Sequence, residues 1–275
     1  MAIDQHTVLY GVVGWPIGHS LSPAMHNAAF AAAGINAVYL AFPARDIGSA
    51  IAGARALGIR GLSVTIPHKK AVIPHLDEVD ELAEKIGAVN TVVSREGRLV
   101  GYNTDALGAL RALEERIALA GKKCVIVGAG GAARAIGFVL RGRVAAISVA
   151  NRSSERGEDL AASLGCAFIP LEGLNRIAAD LLIQTTPVGM APHGDECPVP
   201  ESVLRPGMAV MDIIYNPLQT KLLAMASSRG CVTINGLSMF VHQGAEQFRL
   251  WTNLAPPVEA MTRAVLQTLA IGNRS

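Results

Sequence analysis

The stretch Lys122-Lys123-Cys124-Val125-Ile126-Val127-Gly128-Ala129-Gly130-Gly131-Ala132-Ala133 decides the fold. Its first half is a short apolar run rich in β-branched residues, which predicts a buried strand. Its second half is a G-x-G-x-x-A motif, and residues 132–140 are compatible with a helix. A further apolar run at 144–150 predicts the next strand. This order of strand, glycine turn, helix and strand is the context in which the motif indicates a dinucleotide-binding site.

Each small residue of the motif has a steric role. Gly128 permits a tight turn, Gly130 lets the backbone approach a pyrophosphate, and Ala133 lets the helix lie close to the sheet. The N-terminus of the predicted helix offers free N–H groups and the positive end of its dipole to phosphates.

The residues after the second strand distinguish between two cofactors. An NAD site usually has an acidic residue about 20 residues after the glycines, where it binds the ribose 2′-hydroxyl. This chain has Arg152 and Arg156 in that region, and a guanidinium group binds phosphate through two parallel hydrogen bonds. We therefore favour NADP over NAD. The alternative is that both arginines are solvated residues at the start of a helix.

The composition limits the class of protein. Of the 275 residues, 51% are hydrophobic, 4% are aromatic and 28 are glycine, which favours an aliphatic α/β core. The net charge of +2 gives no sign of a nucleic-acid partner or an acidic membrane surface. We find no apolar run long enough to span a bilayer and no secretory signal. The four cysteines form no C-x-x-C pair, so we expect unpaired thiols in a reducing cytoplasm.

Strands and helices alternate along the rest of the chain, which predicts mostly parallel sheets. Ser22 is the predicted N-cap of the first helix, with Pro23 at its first position. The predicted strands are 7–14, 37–42, 61–66, 88–93, 99–102, 122–127, 144–150, 181–184, 209–214 and 232–234. The predicted helices are 24–33, 47–57, 78–86, 106–119, 132–140, 238–251 and 257–271. We expect two α/β domains, with an open substrate domain at 1–110 plus 238–275 and a doubly wound Rossmann domain at 111–237.

Polar residues follow the strands of the first domain. In open α/β sheets such groups gather at the carboxyl ends of the strands, where a substrate binds. The candidates are Ser20, Ser22, Ser63, Thr65, Lys69, Asn90 and Asp105. Each also has a purely structural explanation: Ser22 and Asp105 could cap helices, Thr65 could fill a strand, and Lys69 could be surface charge beside Lys70.

Taken in order, the motifs of the chain resemble the shikimate dehydrogenase family over nearly the whole length. They are Gly18-His19-Ser20-Leu21-Ser22-Pro23, Ser63-Val64-Thr65-Ile66-Pro67-His68-Lys69, Gly87-Ala88-Val89-Asn90-Thr91, Asn103-Thr104-Asp105, Gly128–Ala133, Asn151-Arg152-Ser153, Thr185-Thr186-Pro187-Val188-Gly189-Met190, Asp212-Ile213-Ile214-Tyr215-Asn216-Pro217, Gly236-Leu237-Ser238-Met239 and Gln243. The resemblance implies reversible reduction of 3-dehydroshikimate to shikimate with NADPH.

The resemblance also implies roles for individual residues. Lys69 would donate and accept the proton at the carbonyl oxygen, paired with Asp105; alternatively, Lys69 mainly polarises the carbonyl and water supplies the proton. Ser20 and Ser22 would bind the substrate carboxylate. The implied contacts to substrate hydroxyls and ring oxygens are Thr65, Asn90, Asp105, Tyr215 and Gln243. The implied contacts to the adenosine phosphates are Gly128, Ala129, Gly130, Gly131, Ala132, Asn151, Arg152, Ser153 and Arg156. The implied nicotinamide contacts are Ile213, Gly236 and Met239.

Two positions depart from the family pattern. Ser63 stands where the family often has Asn, so a direct bond to a substrate hydroxyl could be lost or bridged by water. Ile213 stands where Met is frequent, and it is also apolar. The first departure keeps open a quinate/shikimate dehydrogenase that uses NAD or both cofactors. A non-catalytic NADP-binding sensor is an alternative of another class, although it would not need both Lys69 and Asp105. The seven histidines lack metal-ligand spacing, and a monomer or a homodimer is equally open.

Overall fold

The structure is a computed structural model that describes residues 3–272. Its strands are β1 (Val8–Gly14), β2 (Ala37–Pro43), β3 (Gly61–Val64), β4 (Glu78–Val79), β5 (Thr91–Arg95), β6 (Arg98–Tyr102), β7 (Lys123–Val127), β8 (Ala146–Asn151), β9 (Ala167–Pro170), β10 (Leu181–Gln184), β11 (Ala209–Asp212) and β12 (Val232–Ile234). Its α-helices are α1 (Ser22–Ala32), α2 (Ile47–Ala56), α3 (Glu81–Ile86), α4 (Asp105–Glu114), α5 (Gly131–Leu140), α6 (Ser154–Leu164), α7 (Lys221–Ser228), α8 (Gly236–Thr252) and α9 (Val258–Gly272).

The chain divides into two compact units. The first unit contains the residues up to Thr104 and those from Val241 onward, and the second contains Asp105–Phe240. The boundaries predicted from the sequence, after residues 110 and 237, lie inside helices α4 and α8. The first observed division lies instead at the start of α4, because that helix packs against α5 of the second unit.

The sheet of the first unit has the order β2-β1-β3-β5-β6-β4. Strand β1 is parallel to both β2 and β3, whereas β5 is antiparallel to β3 and β6. The hairpin between β5 and β6 turns at Glu96 and Gly97, whose φ angles of 51° and 81° suit the tight turn that joins antiparallel strands. The antiparallel pairs of β5 are exceptions within the mostly parallel pairing that the sequence predicts. The two-residue turn explains the pair with β6, because such a turn can join only antiparallel strands.

An aliphatic core fills one face of this sheet. Val13, Leu62 and Val92 from the strands pack with Ile47 and Ile51 of α2, and all are buried.

The other face of the same sheet carries aromatic residues and the end of the chain. The ring of Trp251 on α8 lies 5.3 Å from that of Tyr10, and the rings of Phe30 and Phe248 are 5.8 Å apart. A methyl group on Gly61 would lie 2.3 Å from the Trp251 Nε1 atom, so the indole lies directly on β3. Helix α9 packs on α1. Helix α9 and the part of α8 from Val241 onward thus belong to the first unit.

The sheet of the second unit is entirely parallel, with the order β12-β11-β10-β7-β8-β9. This is the doubly wound order of dinucleotide-binding folds, in which the connections reverse direction between β7 and β10. Buried side chains of Val125, Val127, Leu182 and Val210 form its core. Helices α5 and α6 approach closely, since a methyl group on Gly137 would lie 2.4 Å from Leu164.

Several predicted elements differ from the structure. Ser22 is not the N-cap of α1, because Leu21 occupies that position without a side-chain bond and Ser22 is the first helical residue. The predicted helix 78–86 begins only at Glu81, where the Asp80 side chain accepts a hydrogen bond from Leu82 N–H. Glu78 instead starts β4, which pairs with β6. Helix 106–119 ends at Glu114, and the sequence did not predict β9 or α7.

Candidate active site

The polar residues predicted in the first unit lie along one edge of its sheet. Strands β1, β3 and β6 end there, and the antiparallel strand β5 begins there. Across the sheet, Val12 pairs with Ser63, Ser63 with Thr91, and Thr91 with Tyr102. Ser63 on β3 and Asn90, directly before β5, therefore lie at the same edge of the sheet. Their shared edge is where the carboxyl ends of parallel strands place ligand-binding groups.

The two serines after β1 lie next to each other at the start of α1. The backbone N–H of Ser22 donates to Ser20 Oγ at 3.3 Å, and the N–H of Ser20 donates to Ile17 O at 3.1 Å. Ser20 is partly exposed and Ser22 is 6% exposed. Adjacent hydroxyls held in this way can donate to an anion.

Ser63 forms hydrogen bonds inside the sheet edge. Its Oγ accepts from the Tyr39 hydroxyl at 2.6 Å and donates to Gln247 Oε1 at 2.9 Å. Burial raises the pKa of the Tyr39 phenol well above its ordinary value, although hydrogen bonding to Ser63 and Ser22 opposes that rise. Tyr39 is therefore a neutral donor, and the proton of Ser63 is directed toward Gln247 rather than toward a ligand.

Asn90 is the centre of a second set of bonds. Its Oδ1 accepts from Thr91 Oγ1 at 2.8 Å and from Thr104 N–H at 2.8 Å. Its Nδ2 donates to Thr104 Oγ1 at 3.0 Å and approaches Gln243 Oε1 at 3.5 Å. Asn90, Thr91 and Thr104 are each at most 3% exposed. The Asn90 amide is thus fixed with its oxygen toward Thr91 and its nitrogen toward Gln243.

Lys69 lies in a loop whose backbone is tied at several points. The Lys69 carbonyl accepts from Val89 N–H at 2.8 Å, and Thr65 N–H donates to Val13 O at 3.0 Å. The buried ring of His68 bonds to Ala44 O through Nε2 at 2.7 Å. Lys69 itself is partly exposed. Hydrogen bonds therefore hold the backbone of the loop around Lys69 in place.

Asp105 directly follows Thr104 and is the first residue of α4. It is 7% exposed, and it belongs to the second unit. A carboxylate in the first turn of a helix is stabilised by the positive end of the helix dipole.

His26 lies behind the site in the aromatic cluster. Its Nε2 bonds to Gln247 Oε1 at 3.1 Å, and its ring stacks on that of Tyr39 at 4.6 Å. Burial lowers the pKa of His26 from 6.5 to about 3, so the ring is neutral. Its Nδ1 has no hydrogen-bond partner within the described residues.

The glycine motif of the second unit follows β7. Gly128 has a φ of +114°, which favours glycine, and a methyl group there would lie 2.4 Å from Thr185 Oγ1. Gly130 occupies the N-cap position of α5, and a methyl group on it would meet no described atom within 4 Å. Ala133 is fully buried against the sheet. The chain therefore turns tightly at Gly128, leaves open space at Gly130 and packs closely at Ala133. The other residues of the motif are Ala129, Gly131 and Ala132.

The arginines predicted to select NADP follow β8. Asn151 ends the strand, and its Nδ2 donates to Ser153 O at 2.9 Å. Arg152 is exposed, and Arg156 is exposed in the first turn of α6, for which Ser153 is at the N-cap position. Two cations next to a helix N-terminus form a surface suited to a phosphate monoester.

Strands β10 and β11 also end at this edge. The Thr185 hydroxyl donates to Val127 O at 2.7 Å, and Gln184 Oε1 accepts from Thr186 N–H at 2.8 Å. Asp212 is fully buried; its Oδ2 accepts from the Thr220 hydroxyl at 2.7 Å. Burial raises the pKa of Asp212 from 3.8 to about 6.

The remaining predicted residues lie after β11 and at the start of α8. A methyl group on Gly236 would lie 2.2 Å from Ile213 O, so only glycine fits where these two segments touch. The ring of Tyr215 stacks on Phe240 at 4.4 Å, and burial raises the pKa of Tyr215. Met239 is 6% exposed. Ile213, Tyr215, Gly236 and Met239 are thus grouped within the second unit.

Sequence reasoning missed three interior residues of the site: His26, Tyr39 and Gln247. A signal for Gln247 was available, because Gln243, Gln247 and Trp251 recur every four residues on one helix and so share a face. Within residues 3–272, no cluster of three or more His, Cys, Asp and Glu side chains could hold a metal ion. No helix in that same range is both long enough and apolar enough to cross a bilayer.

A sheet edge lined with hydrogen-bonding side chains and a Rossmann unit with a phosphate-binding turn define a dinucleotide-dependent α/β oxidoreductase. Three family models match the chain: the shikimate dehydrogenase substrate binding domain at residues 12–92, shikimate / quinate 5-dehydrogenase at 110–188, and the shikimate 5'-dehydrogenase C-terminal domain at 236–266. The chain belongs to the shikimate dehydrogenase family.

Known relatives match over nearly the full length. Shikimate dehydrogenase (NADP(+)) of Thermococcus kodakarensis is 51% identical, covering 97% of this chain and 99% of the relative. A crystal structure of a shikimate dehydrogenase in complex with NADP+ has a TM-score of 0.94 and 44% identity, covering 98% of each chain. The Thermus thermophilus enzyme, solved with NADP(H) and shikimate, has a TM-score of 0.88 and 37% identity, covering 95% of this chain and 99% of that one.

Proposed function

We propose that this chain is an NADP-dependent shikimate dehydrogenase, which reversibly reduces 3-dehydroshikimate to shikimate. The observation that supports this most strongly is the 51% identity, over 97% of the chain, to a relative that bears this name. The paired serines, Lys69 and the fixed Asn90 amide supply the groups that a polyhydroxylated acid would need.

The second unit fits NADP. The open space in front of Gly130 leaves the N-terminus of α5 accessible to a pyrophosphate. Arg152 and Arg156 are exposed where an adenosine 2′-phosphate would need cations. When bound as NADPH, the cofactor supplies a hydride to the carbonyl carbon of the substrate. Ile213, Gly236 and Met239 would hold its nicotinamide end.

The first unit fits the substrate. Ser20 and Ser22 would donate to the carboxylate, and Thr65, Asn90 and Gln243 would bond the ring hydroxyls. Asp105 and Tyr215 are the remaining residues of the proposed set. As the carbon gains hydride, the electron pair of the C=O bond moves to the oxygen, which takes a proton from the Lys69 ammonium. In the oxidation direction Lys69 takes that proton back.

The four cysteine thiols are unpaired within the described chain. We therefore place the enzyme in the reducing cytoplasm.

A spectrophotometric assay that crosses two substrates with two cofactors tests the proposal. We expect strong turnover of shikimate with NADP and weak turnover in the other three combinations of shikimate or quinate with NADP or NAD. Comparable rates with quinate would assign the chain to a dual-substrate enzyme. Tight NADPH binding without turnover of either acid would instead support a sensor.

The role of Lys69 has a matched control in its neighbour. Lys69→Ala should still quench or shift NADPH fluorescence on binding, yet lose about 10²–10⁴-fold in kcat, the usual contribution of general acid–base catalysis. Lys70→Ala removes an adjacent exposed ammonium and should leave kcat nearly unchanged. Equal losses in both variants would contradict the role given to Lys69.

A further inference from the structure

Gln247 is a buried residue of the first unit, and its side chain makes hydrogen bonds to the sheet edge that carries Ser63 and Asn90. It is 1% exposed and lies one helical turn after Gln243 on α8. Its Oε1 accepts from Ser63 Oγ at 2.9 Å and bonds to His26 Nε2 at 3.1 Å. Its Nε2 donates to Thr91 Oγ1 at 3.0 Å and to Asn90 O at 3.3 Å. All four hydrogen-bonding positions of the amide are therefore used.

These bonds fix the direction in which protons point. Because Gln247 Nε2 donates to Thr91, the Thr91 hydroxyl is an acceptor there, and its single proton goes to Asn90 Oδ1 at 2.8 Å. That bond, together with the bond from Thr104 N–H at 2.8 Å, holds the Asn90 oxygen inward and leaves Nδ2 directed toward Thr104 and Gln243.

The Gln247 amide also fixes the direction of the Ser63 hydroxyl proton. Its proton points to Gln247 Oε1, and one of its lone pairs accepts from Tyr39 at 2.6 Å. Ser63 therefore has no second proton to donate outward.

We infer that Gln247 is a positioning residue, which sets the orientation of the Asn90 amide and of the Ser63 hydroxyl and thereby the pattern of donors and acceptors that the substrate hydroxyls meet. The inference rests on the proposed function. It predicts that Gln247 affects shikimate binding through Asn90, without touching shikimate and without affecting the cofactor.

Gln247→Glu gives the sharpest test, because the introduced carboxyl group changes its donor capacity with pH. In its neutral form it can donate to Thr91 and accept from Ser63, as the amide does. In its ionised form it only accepts, so the Thr91 proton must turn away from Asn90. Burial raises the pKa of a carboxyl group, so this change occurs at a higher pH than for a solvated carboxyl group.

The expected result is a substrate KM that depends on pH. Relative to the unmodified chain at the same pH, Gln247→Glu should have nearly the same KM for shikimate at about pH 6. By about pH 9 its KM should be roughly tenfold higher, the size expected for one lost hydrogen bond. The KM for NADP and kcat should stay within about threefold. Gln267→Glu, on the exposed side of α9, is the matched control and should show no such trend.

A second variant separates positioning from folding. Gln247→Met keeps the volume and removes all four bonds, so it should raise the KM for shikimate at every pH. A ratio of KM values for Gln247→Glu that does not change with pH overturns the inference, as does an equal rise for shikimate and NADP. If the unmodified chain turns over shikimate and this ratio stays constant with pH, only the inference fails. If the unmodified chain turns over no shikimate, both the proposed function and the inference fail.

Discussion

Replacing Asp212 by Asn should stabilise the protein at alkaline pH and destabilise it at acid pH. Asp212 is fully buried at the end of β11. Its Oδ1 accepts from Ile214 N–H at 3.1 Å and its Oδ2 from the Thr220 hydroxyl at 2.7 Å. These two bonds do not offset the burial, because the pKa of the carboxyl group is still raised from 3.8 to about 6.

The sign of the effect follows from proton linkage. Since the folded pKa exceeds the unfolded one, the stability that this group contributes is complete below pH 3.8 and is lost as pH rises through about 6. A shift of this size corresponds to roughly 3 kcal/mol in the free energy of unfolding. Asn keeps the acceptor for Ile214 but not the one for Thr220, which costs about 1 kcal/mol. Asp212→Asn should therefore gain about 2 kcal/mol at pH 8 and lose about 1 kcal/mol at pH 4.

Thermal unfolding followed by circular dichroism at several pH values would measure this. About 2 kcal/mol corresponds to an increase in Tm of roughly 4–8 °C. Asp159→Asn, at an exposed position of α6 in the same unit, is the control, and its difference from the unmodified chain should keep one sign throughout. The reasoning is refuted if Asp212→Asn is less stable than the unmodified chain at pH 8.

Three further changes test other parts of the structure. The pKa of buried His26 is lowered from 6.5 to about 3, so the stability that its neutral ring contributes above pH 6.5 is lost as the pH falls. The Tm of His26→Phe should therefore fall less steeply than that of the unmodified chain between pH 6.5 and 4. Equal slopes of Tm against pH for the two proteins would count against this. Gly61→Ala would place a methyl group 2.3 Å from Trp251 Nε1 and should cost about 1–3 kcal/mol in denaturant unfolding, whereas Gly53→Ala in α2, with open space around it, should not destabilise. Arg152→Gln should raise the KM for NADP by about 10–100-fold, the size expected for a charge-assisted hydrogen bond, and should leave the KM for NAD unchanged. A similar rise in both KM values would show that Arg152 does not bind the 2′-phosphate.

The Rossmann unit was the most predictable part of the fold. Apolar runs bounded by glycines predicted β7, α5 and β8 to within two residues, because a buried parallel strand needs a continuous apolar sequence. Strand β9 (Ala167–Pro170) was missed, since both of its end residues are exposed and it is only four residues long. Strand β4 exists only because two residues pair with β6, and no local pattern signals such a contact.

The sequence indicated those site residues whose position depends on local backbone geometry. Strand ends and helix starts marked Ser20, Asn90 and the glycine motif, because local backbone geometry places them. Gln247 could not be assigned in this way, since its bond to Ser63 joins residues 184 positions apart and depends on how α8 packs on the sheet. For Ser63, a candidate substrate-binding residue, we expected that a direct bond to a substrate hydroxyl could be lost or bridged by water. Its own bonds to Tyr39 and Gln247 point inward. The roles of these residues toward ligands stay predictions.

The first unit is assembled from both ends of the chain, and this has a consequence for synthesis. A ribosome releases Asp105–Phe240 as one uninterrupted segment, which can fold as soon as it emerges. The strands up to Tyr102 emerge earlier but must wait for α8 and α9, without which Gly61 lacks the Trp251 indole and Ser63 lacks the Gln247 amide. The later-made segment would therefore complete its core before the earlier-made one. Helices α8 and α9, which follow that segment, would decide when the sheet edge with Ser63 and Asn90 becomes competent.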